Sequence, residues 1–171
     1  MDPLIRHAAP ADHTTIEQIE NAADRLLIDR LEAGAWEAAP SGGSRAAAPG
    51  FLLVAEEASG GPVIGFVHVL EQAGHAHLEQ LSVLPDHGQR GVGRALVRAA
   101  MDEAGCRGYR EMSLRTYADV PWNAPFYARL GFASTTPTTS FQRRLAESEE
   151  RLGLGAYGRR QQMTVSLVGF D

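Results

Sequence analysis

The chain predicts a mixed α/β fold: a mostly antiparallel sheet of about six or seven strands, flanked by helices, with one central β–α–β unit. Three observations carry this expectation. Strand-like runs at 51–56, 62–71 and 76–83 follow one another across tight turns at Ser59-Gly-Gly and Gly74, as in an antiparallel meander. A glycine-punctuated turn then leads into an amphipathic helix, and a further strand-like run follows at 111–117, which requires a crossover, right-handed by expectation. The 171 residues, 44% hydrophobic and 22% charged, suit one globular domain spanning 1–171.

In chain order, Leu4-Ile5-Arg6 reads as a short strand, and Pro10-Ala-Asp12 supplies a break and a helix cap. From Thr14, Ile16, Ile19, Ala22, Ala23, Leu26 and Leu27 recur at helical spacing, and a second helical piece is expected over Leu31–Trp36. Residues 38–50 (AAPSGGSRAAAPG) read as a low-complexity, mobile loop. The strand 76–83 stops at Pro85. The helix from Val92 sets Ala95, Leu96, Ala99 and Ala100 toward a sheet and ends at Gly105 and Gly108. A short helix is expected over Trp122–Leu130 with Gly131 at its C′ position, then a strand from Phe132, a helix over Thr139–Leu152 and a closing strand over Gln161–Val168.

Composition removes several function classes. The net charge of −5 offers no basic footprint for nucleic acid or an anionic membrane. The chain contains no lysine, so Schiff-base chemistry, a lysine base and autoacetylation at lysine are excluded. The N-terminal residues lack the apolar core of a secretory signal, and no apolar run approaches the ~20 residues of a membrane span. The single cysteine, Cys106, can form neither an internal disulfide nor a cysteine zinc site, and reads as a small buried filler. His7, His13, His68, His75 and His87 show no metal-ligand spacing. A cytoplasmic setting is expected.

The stretch from His77 to Leu96 organises the rest. Its glycine turn at a helix start turns several backbone N–H groups toward one point, where the helix dipole also favours an anion, so it should hold a phosphate-bearing ligand. A dinucleotide fingerprint needs a third glycine where Leu96 stands, and a P-loop needs a lysine the chain lacks. A purely structural turn is the remaining alternative.

Residues 81–96, LSVLPDHGQRGVGRAL, resemble the acyl-CoA-binding motif of the GCN5-related N-acetyltransferases, the GNAT superfamily. Residues 121–132, PWNAPFYARLGF, resemble that family's second signature, and the order of elements is similar over nearly the whole chain. One position departs: the family usually has Gln or Arg where Gly88 stands, and Gln89 lies one place late.

The resemblance implies a GNAT fold and an acyl-CoA-dependent N-acyltransferase of the EC 2.3.1 class. Acetyl-CoA would be the co-substrate, with no metal, and an amine acceptor would attack directly in a ternary complex. It places the pantetheine arm along Leu81, Ser82 and Val83 and the pyrophosphate on Gly88, Gln89, Arg90, Gly91, Val92, Gly93 and Arg94. Asn123 and Phe126 join the cofactor site. Tyr127 takes the position of the acid that protonates the departing sulfur; the alternative is an aromatic packed in the core. The base candidates are Glu79 and His77, which strict alternation sets on one face of their strand with Leu81 and Val83 continuing it. Trp36, Trp122 and residues 38–50 are placed near the acceptor. The expected acceptor is a small-molecule amine. Peptide or protein N-acetylation and a non-catalytic acyl-CoA-binding module are the alternatives. Family members often pair through C-terminal strands, so a homodimer is a state to test.

Overall fold

The computed structural model describes residues 2–169. Strand β1 (Leu4–His7) is followed by a 3-10 turn at Pro10–Asp12 and helix α1 (His13–Leu31). Asp12 stands at the helix start without capping it. Its carboxylate instead accepts from Arg6 and from the Ala9 N–H, tying β1 to the turn. Helix α1 ends where Glu32 turns left-handed (φ 52°), so the expected helical piece over Leu31–Trp36 is absent; Trp36 lies in an irregular segment. A left-handed residue interrupts the helical hydrogen-bond ladder, which apolar spacing alone does not reveal.

Residues 38–50 also correct the expectation, because they contain a short helix, α2 (Gly42–Ala47), capped by the Ser41 hydroxyl. A Cβ on Gly42 would sit 2.1 Å from the His13 carbonyl oxygen, so α2 packs backbone to backbone on the start of α1.

Strands β2 (Gly50–Glu56), β3 (Val63–Gln72) and β4 (His75–Val83) form the antiparallel meander. Helix α3 (Val92–Cys106) then crosses to β5 (Glu111–Tyr117), which pairs with β4 in parallel. Helix α4 (Ala124–Ala128) is shorter than expected but is followed by Gly131 at φ 96°. Strand β6 (Ala133–Thr135), helix α5 (Ser140–Arg151) and strand β7 (Arg160–Ser166) complete the sheet, in the order β1-β2-β3-β4-β5-β7-β6. Thr139 and Gln142 form a reciprocal capping box at the start of α5.

The sheet is apolar on both faces. On one side Val67, Val69 and Leu78 pack with Leu96, Val97 and Ala100 of α3 and with Tyr127 and Phe132. On the other, Ile16 and Ile19 of α1 cover Leu52, Val54 and Phe66. Cys106 is exposed at the end of α3, contrary to its reading as a buried filler, because the apolar stripe of α3 ends at Ala104. No helix among the described residues is long and apolar enough to cross a membrane.

Candidate active site

Strands β4 and β5 pair over only three positions, Ala76↔Met112, His77↔Ser113 and Leu78↔Leu114. Beyond Leu78 they part. The cause lies on the other edge of β4, where Val69 faces Leu78 but His68 faces Gln80, leaving Glu79 as an extra residue in a bulge. A bulge bends and over-twists its strand, here away from β5. The facing edges at 79–83 and 115–117 therefore keep backbone N–H and C=O groups without a strand partner, and a cleft of about 1450 Å³ opens between them.

The bulge also corrects the expected alternation. His77 lies on the face of β4 that carries Gln80 and Ser82, with Gln80 donating to the Ser82 hydroxyl. Leu81 and Val83 pack instead on the α3 side. His77 and Glu79 stay together because the extra residue turns Glu79 back: His77 Nε2 lies 3.6 Å from the Glu79 carboxylate.

The glycine turn closes one end of the cleft. Gly91 (φ 84°) and Gln89 (φ 60°) are both left-handed, and Gly91 is the cap of α3. Among the described residues, no protein acceptor reaches the N–H groups of Gln89, Arg90, Gly91, Val92, Gly93 or Arg94. Six free donors at a helix start form a concentrated site for an anion. Gly93 faces Phe126, Leu81 and Val83, where an added Cβ would make ordinary contacts at 3.4 to 3.8 Å. Gly88 has an ordinary extended backbone (φ −62°), and a Cβ there would lie 3.1 Å from the Pro85 carbonyl oxygen. The backbone angle thus does not call for glycine at the one position that departs from the family pattern, but a side chain there would press on the Pro85 carbonyl. Arg94 lines the cleft, Arg90 is exposed and outside it, and Val92 points into the core, so the last two offer only their N–H groups.

Helix α4 brings Asn123, Phe126 and Tyr127 to the same cleft. Asn123 accepts from the Thr116 hydroxyl at 2.7 Å, fixing the start of α4 to β5. Tyr127 is wedged edge-on between Phe126 and Phe132, with ring centroids 5.1 and 5.7 Å away. Its hydroxyl has no hydrogen-bond partner among the described residues. Burial pushes its pKa well above the phenolic range, with Arg160 opposing only weakly, so the hydroxyl keeps its proton.

Glu79 lies on the cleft floor with its side chain 38% exposed to the open cavity. Burial, helped by the nearby Glu149 and Glu20, raises its carboxyl pKa, while Arg45 opposes. His77 is buried, holds the Ser113 hydroxyl at 2.9 Å through Nδ1, and is pushed down to about 4 by desolvation, so at neutral pH its contact with Glu79 is not an ion pair.

The opposite end of the cleft is walled by Trp36, Ala38, Ala39 and Pro40, which the resemblance placed near the acceptor, and by Asp24 and Leu27 of α1 with Leu154 and Tyr157, which it did not. Trp122 lines the cleft as well. Glu20 receives two hydrogen bonds from Arg45, at 2.7 and 2.9 Å, and Arg45 reaches on to His68 Nδ1 at 3.0 Å. Glu149 is gripped by Arg115 and Arg160; burial pushes its pKa up, but those two guanidinium groups outweigh it and hold the carboxyl low. The i, i+4 spacing of Glu20 and Asp24, on the helix side that carries Ile16, was the available signal for a functional face.

Arg45 is 8% exposed and Glu20 4%. Arg45→Ala is expected to cost about 3–5 kcal/mol, since it strands a buried carboxylate, and to release α2; urea unfolding checks it, and a loss under ~1 kcal/mol would contradict the anchor. Among the described residues no group of three or more His, Cys, Asp or Glu is placed to hold a metal ion.

Comparison with known proteins agrees with this architecture. The family described as "Acetyltransferase (GNAT) family" matches residues 14–132. A mycothiol acetyltransferase of Clavibacter michiganensis subsp. michiganensis (strain NCPPB 382) is 35% identical over 98 residues, covering 56% of this chain and 31% of that protein. Its counterpart in Clavibacter sepedonicus is 33% identical over 95 residues, with 56% and 31% covered. The match thus spans about a third of the length of these curated relatives. Among solved structures, the ribosomal-protein-S18-alanine N-acetyltransferase of Escherichia coli superposes with a TM-score of 0.67 at 21% identity, covering 96% of this chain and 94% of that one. The PaiA N-acetyltransferase of Thermoplasma acidophilum, in complex with coenzyme A, gives 0.67 at 17% identity, with 97% and 99% covered. At these identities the structural likeness speaks for the fold.

Proposed function

Because the chain belongs to the GNAT acetyltransferase family, we propose that it transfers an acetyl group from acetyl-CoA to a primary amine by direct attack in a ternary complex, with a small molecule as acceptor. The observation that carries this reading is a single cleft that joins free N–H groups at one end to Glu79 and Tyr127 in its middle and to a chamber walled by Trp36, Asp24 and Tyr157 at the other. The residues present fit the cofactor. Six unclaimed donors and Arg94 suit a pyrophosphate, and the unpaired edge at 81–83 suits an amide-bearing arm lying as an added strand.

Acetyl-CoA supplies, when bound, a thioester carbonyl open to an amine. The chain's part is to manage two protons and exclude water. Glu79 takes the proton of the incoming ammonium; its raised pKa narrows the gap to an amine near ~10. His77, held by Ser113, stands beside Glu79 with Nε2 3.6 Å from its carboxylate. Tyr127, protonated throughout the working range, delivers its hydroxyl proton to the sulfur as the thiolate leaves.

The direct test is thiol release from acetyl-CoA with a panel of amines and short peptides, followed by product mass. Release with no amine above background, despite tight CoA binding, would leave an acyl-CoA-binding module instead. A peptide acceptor is the second reading, favoured by the size of the cleft, and the peptides in the panel separate it. The low-pH limb of kcat/KM should lie above the usual carboxylate value of 4.5, because activity needs the deprotonated Glu79 and its pKa is raised. Glu79→Gln should remove that limb and lower kcat by about 10²–10³-fold. An unchanged limb in that variant would assign the base elsewhere. A cytoplasmic setting and a homodimer belong to the same proposal, the latter checked by light scattering.

A further inference from the structure

The carboxylates around the acceptor chamber are not equivalent. Glu20 is claimed by Arg45, and Glu149 by Arg115 and Arg160. Glu79 is the base of the proposed reaction. Two more, Asp24 and Glu37, have no cation among the described residues, and they differ in setting: Glu37 is exposed to solvent, whereas Asp24 is half-buried. Its single side-chain partner is the Trp36 indole N–H, at 3.4 Å, a long bond that uses one oxygen of two. Burial, with Glu20 adding to it and Arg45 opposing, pushes the Asp24 carboxyl up to about 6, so at neutral pH it is an ionised group in a costly setting. Anchoring Trp36 does not explain the charge, because an asparagine oxygen would accept the same N–H.

The wall beside Asp24 is apolar and wet. Trp36 and Tyr157 stand together, ring centroids 6.2 Å apart, as one aromatic surface. Leu26 and Leu152 line the same end while 49% and 60% exposed. Large apolar side chains left open in a cleft, around a half-buried carboxylate that no cation holds, complement a ligand with an apolar body and a positive end.

We propose that the acceptor is a dication with an apolar body. Its reacting amine lies at Glu79, its ring-bearing or branched body lies on Trp36 and Tyr157, and its second protonated nitrogen pairs with Asp24. The proposal rests on the acetyltransferase reading for what happens to the first amine, but the binding preference stands by itself. Aromatic faces add attraction for the charged end.

Three probes share one skeleton and differ at the far end: 1,4-bis(aminomethyl)benzene, 4-methylbenzylamine and 4-(aminomethyl)benzoate. Their kcat/KM values are read by thiol release with acetyl-CoA. Binding is read separately, without turnover, by isothermal titration calorimetry on the protein with both tryptophans intact. The diamine should exceed the monoamine by about 10-fold or more in both readouts, with the carboxylate poorest. Asp24→Asn should bring diamine and monoamine within about two-fold.

A pH series on the protein with Asp24 intact needs no charge substitution. The diamine preference should shrink as pH falls through about 6, where Asp24 takes up its proton. The other charged groups facing Asp24 are Glu20 from the same helix and Arg45 from α2. Equal binding of diamine and monoamine overturns the proposal, as does a preference that survives Asp24→Asn or stays flat between about pH 5 and 8. If no amine releases thiol but diamine binding depends on Asp24, the acetyl-transfer reading falls and this one stands.

Discussion

Replacing Tyr127 with Phe should lower kcat by about 10²–10³-fold while changing CoA affinity less than about two-fold. The substitution removes one oxygen and keeps the ring. That ring is packed edge-on between Phe126 and Phe132, so the fold is held by contacts that Phe makes equally well. The hydroxyl, by contrast, has no partner among the described residues, and burial keeps it protonated far above neutral pH. Its loss should therefore appear in the chemical step alone. Single-turnover kinetics and CoA calorimetry on the same protein separate the two terms. Turnover equal to wild type would remove Tyr127 from the mechanism and return it to the core. A more acidic thiol leaving group, which needs less help in departing, should recover part of the lost rate.

Gly91→Glu should weaken CoA binding by about 100-fold or more, with a stability loss of about 1–2 kcal/mol. Two effects set these sizes. The φ of 84° is a conformation that side chains resist, which accounts for the stability term. The affinity term comes from charge. A side chain at Gly91 projects toward Arg94, whose Nη2 lies 3.6 Å from the position of an added Cβ. A carboxylate there would both repel a phosphate and claim the guanidinium that would otherwise meet it. Gly91→Ala carries the backbone cost without the charge, so its CoA affinity should stay within about five-fold of wild type. Isothermal titration of both variants decides the matter. Equal affinities in Gly91→Glu and wild type would show that the anion sits elsewhere.

The strands and the crossover helix were legible because each is a local pattern. The continuous apolar run over 51–56 marks a strand buried on both faces, and the apolar stripe through Leu96 and Ala100 reports which face of the helix meets a core. The glycine turn was legible for the same reason, since Gly91 marks a left-handed conformation directly. The bulge at Glu79 was not, because it is a property of two strands in register and β4 alone reads as regular. Its consequence was the misassigned face of Leu81 and Val83. Helix α2 was hidden by its composition: Gly42-Gly-Ser-Arg-Ala-Ala47 has the makeup of a linker, and the contact that orders it joins Arg45 to Glu20, 25 residues earlier. Asp24 escaped for a similar reason, its pairing with Trp36 spanning 12 residues across an irregular segment.

The extra residue in β4 has a further consequence, in how this strand can tolerate a change of length. Because Gln80 already faces His68 and Leu81 faces Val67, every side chain after the bulge stands where an uninterrupted strand one residue shorter would put it. Excising Glu79 therefore disturbs no core contact. It leaves a smoother strand, free to zip further along β5, and a sturdier sheet with no slot in it. The inserted residue is thus the mark of a trade in which backbone pairing was given up at one point of the sheet, and a chain that lost it by deletion should remain a sound protein without the slot on which the proposed transfer depends.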